Sequence, residues 1–223
     1  MPNQSFDLTG PAGRLEAILM EPESGPRAAA VVCHAHPLHG GMMHFKVIFR
    51  VAKALQEQGV AALRFNFRGV GRSEGVHDHG RGEQDDARAA LDELQRRYPS
   101  LPLLAAGFSF GANVALRVAA AEARVRAVAS LGLPIAHLDD LDFLQTLRRP
   151  RLFVQGGNDE FGGATAIRAV VDPLPEPKRL LIVEGADHFL TGRLDEVHAT
   201  VADWASTAPW SAGQPSSAAP RLR

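Results

Sequence analysis

The chain has 223 residues, of which 45% are hydrophobic and 22% charged, with 24 basic against 25 acidic side chains and a formal net charge of -1. That is the composition of one soluble globular domain, large enough to bury roughly 70% of its unfolded surface without a disulfide or a metal. Balanced, scattered charge excludes the basic field that nucleic acid or an anionic membrane would need, and no apolar run approaches the ~20 residues of a membrane span. The single cysteine, Cys33, cannot form an intrachain disulfide and reads as a small buried strand residue in Ala-Val-Val-Cys-His. The first residues show no basic region followed by an apolar stretch, so a cytoplasmic enzyme or binding protein is expected.

Residues 6–9 and 15–20 flank Gly10-Pro-Ala-Gly13 and predict an opening hairpin, and 28–34 is a small-apolar strand of the kind buried on both faces. Across 45–58, Phe45, Ile48, Phe49, Ala52 and Leu55 fall on one helical stripe that Gly59 closes. A strand over 60–65, a helix over 83–97 and a strand over 101–106 follow. Gly107-Phe108-Ser109-Phe110-Gly111 then leads into a helix over 112–121. Beyond it the pattern predicts a strand over 125–131, a short helical stretch near 138–147 and a strand over 151–155. A helix near 164–171, a strand over 178–184 and a helix over 194–204 complete the series. Such alternation predicts an α/β fold: a mostly parallel central sheet with helices on both faces, and ligands beyond the carboxyl ends of the strands. From residue 206 the sequence turns to Ser, Ala, Pro and Gly without periodicity. One domain over 1–205 and a disordered tail over 206–223 are therefore expected.

Glycines two residues either side of Ser109 leave room for a strained strand-to-helix turn that exposes the hydroxyl, as a nucleophile requires. The same pentapeptide also suits a tight helix entry capped by Ser109, so its companions decide between the readings. A serine nucleophile needs a base, and the base needs an orienting acid. Asp159 lies just past the strand ending in Gln155, and His188 just past the last strand. Both stand at strand carboxyl ends, as Ser109 does. Rival acids are the adjacent Glu160, and Asp139, Asp140 and Asp142 after the preceding strand; Asp187 reads as a turn cap. Of 9 histidines, only His188 occupies the loop after the last strand.

The order Ser109, Asp159, His188 resembles that of the α/β-hydrolase superfamily, and the resemblance extends over about residues 5–205. His36-Pro-Leu-His-Gly-Gly41 follows a strand where that superfamily carries its oxyanion loop, and Arg64-Phe-Asn-Phe-Arg-Gly-Val-Gly-Arg-Ser-Glu-Gly75 is similar to its arginine- and glycine-rich turn. Together they most resemble small single-domain serine esterases near the dienelactone hydrolases, which use cysteine where this chain has Ser109. The resemblance implies a serine carboxylesterase-type enzyme that cleaves short-chain esters through an acyl-enzyme intermediate, with no cofactor and no metal. Ser109 would attack, His188 would act as base and Asp159 would orient it. The backbone N–H groups of Phe110 and Leu38 would hold the oxyanion, Pro37 having none. A thioesterase or small-amide hydrolase with the same three residues, or a non-catalytic binding protein of this fold, are the alternatives.

Where related folds insert a lid, only residues 132–150 are available, so no lid domain and an open, shallow site are expected. His34, His36, His39 and His44 are close enough to suggest zinc, but no H-E-x-x-H pattern accompanies them. Pro37 and Gly40-Gly41 argue instead for a shaped loop used in packing or substrate contact. The glycine-rich 66–75 segment lacks the Gly-Lys-Ser/Thr ending of a phosphate cradle. Arg68 and Arg72 are expected to tie this turn to neighbouring carbonyls, while His77, Asp78 and His79 receive no role.

Overall fold

The computed structural model describes residues 3–211, which build one eight-stranded sheet. Its strands are β1 (Gln4–Gly10), β2 (Gly13–Met20), β3 (Ala28–Cys33), β4 (Val60–Phe65), β5 (Leu103–Phe108), β6 (Val125–Leu131), β7 (Arg151–Gly156) and β8 (Lys178–Val183). The helices are α1 (Lys46–Glu57), α2 (Arg81–Arg97), α3 (Phe110–Ala121), α4 (Ala164–Val171) and α5 (Leu194–Ser206). The spatial order is β1-β2-β4-β3-β5-β6-β7-β8; β1, β2 and β4 pair antiparallel, and β4 through β8 are parallel. This is the α/β fold that the pattern of elements predicted, a mostly parallel sheet with helices on both faces.

Every residue of β3, β4 and β5 is buried, because helices cover both faces of the sheet. In β3 the alternation is direct. Ala28, Ala30 and Val32 join the core under α1 and α5, whereas Ala29, Val31 and Cys33 join the core with α2, α3 and α4. Cys33 is thus a packing residue, and burial pushes its thiol well above the usual range. The chain runs from β3 outward to β4, then crosses back over β3 to form β5, so the connection reverses between β3 and β5. A crevice at the carboxyl ends of strands opens at such a switch point, and β5 ends immediately before Ser109.

Three expectations need correction. The stretch after β6 forms two 3-10 turns, Ile135–His137 and Asp142–Gln145, instead of one helix. The Asp140 carboxylate accepts the Asp142 N–H at 2.9 Å, a local bond that competes with helix propagation. Arg68 and Arg72 pair with carboxylates and not chiefly with carbonyls: Arg68 grips the fully buried Asp86 of α2 through Nε and a terminal nitrogen (2.7–3.1 Å), and Arg72 Nε lies 3.2 Å from Glu16. Folded structure also continues past residue 205, since α5 reaches Ser206 and the turn Pro209–Ser211 buries Trp210 beside the Arg27 guanidinium, 5.2 Å from the ring. The remainder of the expected tail, 212–223, lies outside the described residues. No described helix is long and apolar enough to cross a membrane.

His34 ties the switch point together. Its Nε2 accepts the Phe67 N–H at 3.0 Å and its Nδ1 lies 2.7 Å from the Ala35 carbonyl, an arrangement that requires the neutral ring. Burial lowers its pKa from 6.5 to about 4. The folded chain therefore refuses a proton that the unfolded chain accepts below about 6.5, so stability present above that pH is lost as pH falls toward 4. The whole window is worth about 3 kcal/mol. Urea unfolding between pH 7 and pH 4.5 should show a steeper loss of stability in the parent than in His34→Gln, by about one proton; equal slopes would contradict the assignment.

Candidate active site

Ser109 joins β5 to α3 with φ 57° and ψ -121°, a conformation that costs a non-glycine residue on the order of 1–3 kcal/mol. The strain is held by its surroundings. Its N–H donates to the Leu131 carbonyl of β6 at 2.9 Å, and its carbonyl accepts the Ala112 N–H of α3 at 2.9 Å. Both flanking glycines are required by close approach: a Cβ on Gly107 would meet the Gly111 backbone, and one on Gly111 would meet the carbonyls of Cys33 and His34. The elbow is thereby pressed against the end of β3.

His188 Nε2 lies 2.8 Å from Ser109 Oγ, and His188 Nδ1 lies 2.8 Å from Asp159 Oδ2. Both side chains are buried, 3% exposed for His188 and 0% for Asp159. Asp159 is itself anchored. Its Oδ1 accepts the Phe161 N–H at 2.8 Å and its Oδ2 accepts a proton of the Gln155 amide at 2.8 Å. Gln155 also bonds both backbone groups of Leu133 and the Gly162 carbonyl (2.9–3.2 Å), which links the turns after β6 and β7. Sequence reasoning passed over Gln155; the available signal was a polar residue closing an otherwise apolar strand. The edge of Phe161 meets the His188 ring at 4.7 Å, and Phe108 packs beside it at 5.2 Å.

The rival acids are engaged elsewhere. Glu160 reaches only the His188 backbone N–H, at 3.3 Å. Asp187 Oδ1 caps the turn by accepting the Thr191 N–H at 2.9 Å, and that bond holds its carboxyl below the usual range. Asp139, Asp140 and Asp142 are exposed on the stretch after β6. A hydroxyl, an imidazole and a carboxylate bonded in this order can move a proton from oxygen to Nε2 while Nδ1–H stays on the carboxylate.

The loop after β3 is arranged differently from the sequence expectation. The Leu38 N–H donates to His36 Nδ1 at 3.2 Å and its side chain is 69% exposed. By contrast, the His36 N–H has no acceptor among the described residues. The Phe110 N–H, in the first turn of α3, has no intrahelical acceptor by the geometry of helix ends. His36, Phe110 and Ser109 line one cavity of about 450 Å³, whose wall does not include Leu38. The stretch after β6 supplies Pro134, His137 and Leu138 to the same cavity.

The four clustered histidines separate. His34 is buried below the site, His36 and His39 face the cavity, and His44 lines a second depression of about 510 Å³ with Met42, Phe45 and Phe189. A third depression, of about 560 Å³ around Pro22, Phe49 and Lys53, holds none of the three aligned residues. Among the described residues no cluster of three or more metal-ligating side chains is placed to hold a metal ion.

Residues 27–210 match a family model described as an alpha/beta hydrolase domain. The structure of an alpha-beta serine hydrolase homologue from Coxiella burnetii aligns with a TM-score of 0.85 and 36% identity, over 91% of this chain and 97% of that one. A Xanthomonas campestris protein described as an α/β serine hydrolase without lid aligns with a TM-score of 0.85 and 34% identity, over 96% and 99% of the two chains. An uncharacterized protein of Rickettsia prowazekii is 35% identical over 215 residues, covering 93% of this chain and 90% of its own length.

Proposed function

The chain belongs to the α/β-hydrolase family, and from that premise we propose that it is a serine carboxylesterase that cleaves short-chain esters through an acyl-enzyme intermediate on Ser109. The observation that carries this reading is the continuous line Ser109 Oγ, His188 Nε2, His188 Nδ1, Asp159 Oδ2, with 2.8 Å at each contact. In the first half-reaction Oγ bonds to the acyl carbon as its proton passes to His188 Nε2. That proton then leaves on the alcohol oxygen as the C–O bond breaks. Water attacks the acyl-enzyme in the second half, giving its proton to His188 and releasing the acid from Ser109. The Phe110 N–H remains the first oxyanion donor. For the second donor we propose the His36 N–H in place of Leu38, because residue 36 lines the cavity that contains Ser109 and its N–H is bonded to no described residue. One such donor typically contributes ~3 kcal/mol at the transition state.

A fluorophosphonate probe should label the protein at Ser109 and leave Ser109→Ala unlabelled; well-folded protein that takes no probe would reject the reading. Short acyl groups are favoured because the cavity wall is built from loops, the start of α3 and the 3-10 turn Ile135–His137, with no lid to extend it. A fully walled channel would contribute ~0.8 kcal/mol, or about fourfold, per added CH2. Specificity constants from acetyl to dodecanoyl esters should instead level off early. A steady fourfold climb to dodecanoyl would show a channel that the fold does not provide.

A further inference from the structure

Five imidazoles face the cavity that contains Ser109. His36 and His39 come from the loop after β3, His77 and His79 from the loop after β4, and His137 from the turn after β6. The rings of the first four form a connected group: His36 stacks on His39 at 4.4 Å and tilts against His77 at 4.9 Å, and His77 meets His79 at 5.1 Å. His137 packs against Phe161 at 5.1 Å. No Asp, Glu, Lys or Arg side chain lines the cavity among the described residues.

A wall of this kind has a definite preference. Each imidazole can present an N–H donor, and no lining carboxylate repels an anion. As protons are taken up, rings this close repel one another, and a bound anion relieves that repulsion while a bound cation adds to it. His36 already feels its neighbours: burial, and then His39 and His77, hold its pKa below the ordinary imidazole value.

We propose that this cavity is a carboxylate subsite: the ester cleaved at Ser109 carries a carboxylate a few bonds from the scissile carbonyl, and the imidazole N–H groups receive it. The inference rests on the hydrolase reading for the cleavage step, but the anion site stands on the imidazole cluster alone. The surrounding charges leave the cluster free to act. Glu83 is fully buried in the first turn of α2, with Oε1 2.8 Å from His77 Nδ1, and its two oxygens accept the Asp78 and Gly80 N–H groups. Asp78 spends Oδ2 on the Gly82 N–H at 3.0 Å. From α3, Arg117 stands behind Asn113, with Nε 3.1 Å from its Oδ1, and is shared with Asp140 at 3.9 Å. Asp159 and Glu160, after β7, are directed at His188 after β8.

The test uses glutarate and its uncharged isostere glutaramide, titrated into the intact protein and into Ser109→Ala by calorimetry at pH 8 and pH 6. Glutarate is expected to bind about fivefold or more tightly at the lower pH, because positive charge on the imidazole wall attracts a carboxylate and not an amide, while glutaramide does not change. Glutarate affinity that is equal at the two pH values, or matched by glutaramide, overturns the subsite. In the double variant His79→Gln/His137→Gln the pH dependence of glutarate binding should shrink, and an unaltered dependence likewise counts against it. Turnover supplies the second arm: the ratio of kcat/KM for monomethyl glutarate over methyl glutaramate should rise about fivefold from pH 8 to pH 6, because the pH dependence of the chemical step is common to both esters and cancels. A ratio flat within twofold overturns the substrate assignment. Glutarate binding without hydrolysis of either ester, and without fluorophosphonate labelling, would sink the hydrolase reading and leave the anion site standing.

Discussion

Ser109→Ala is expected to lower kcat/KM on a short-chain aryl ester by roughly 10⁴-fold or more, leaving only what the oxyanion donors and binding supply. The substitution removes one atom whose recorded bond is the 2.8 Å contact to His188 Nε2. It leaves the positive φ of the elbow, the Leu131 bond of residue 109 and both flanking glycines in place, so thermal stability should change little. Loss of activity without loss of Tm separates a nucleophile from a helix-entry serine, whose removal would cost about 1 kcal/mol of stability and little turnover. Activity within tenfold of the parent in folded Ser109→Ala protein would contradict the assignment.

Asp159→Asn should be nearly as damaging, for a different reason. The carboxylate accepts three hydrogen bonds, from the Phe161 N–H, the Gln155 amide and His188 Nδ1–H, each at 2.8 Å. An amide that keeps its oxygen on Phe161 N–H turns its NH2 toward two donors. His188 must then present an unprotonated Nδ1, which puts its proton on Nε2, where it can no longer take the serine proton. Loss of kcat on the order of 10⁴-fold is expected from the wrong tautomer, with about 1–3 kcal/mol of stability lost where Gln155 and the amide face each other as donors. Glu160→Gln is the control on the neighbouring acid. It touches only the His188 backbone, at 3.3 Å, and should cost less than tenfold. The reverse ranking in kcat would transfer the orienting role to Glu160.

Particular residues show how far sequence reading reached. Ser109, Asp159 and His188 each follow an apolar strand directly, and in a parallel sheet every such position lies on one edge, so their convergence was legible before any coordinates. For Leu38 the sequence offered an N–H because Pro37 has none, but that this N–H is bonded to the His36 ring at 3.2 Å depends on where the ring turns, which no local pattern shows. The short helical stretch expected near 138–147 is replaced by the turns Ile135–His137 and Asp142–Gln145; the Asp140 side chain competes for the Asp142 N–H, and local competition of that kind is invisible to a sequence pattern. Arg68 and Asp86 stand 18 residues apart on different elements, and no local pattern announces such a pair.

By itself, the sequence determined the order of strands and helices, the buried β3 to β5 center of the sheet, the elbow around Ser109 and the absence of room for a lid domain. These follow from short-range rules: side-chain period, glycine at close approaches and the need of parallel strands for crossovers. Only the tertiary structure decided that the Leu38 N–H is bonded to the His36 ring, that Gln155 anchors Asp159, and that five histidines from three separate loops share one cavity with Ser109. Those features arise where chain segments distant in sequence meet at a strand edge, and their geometry is set by packing and hydrogen bonding across the switch point between β3 and β5.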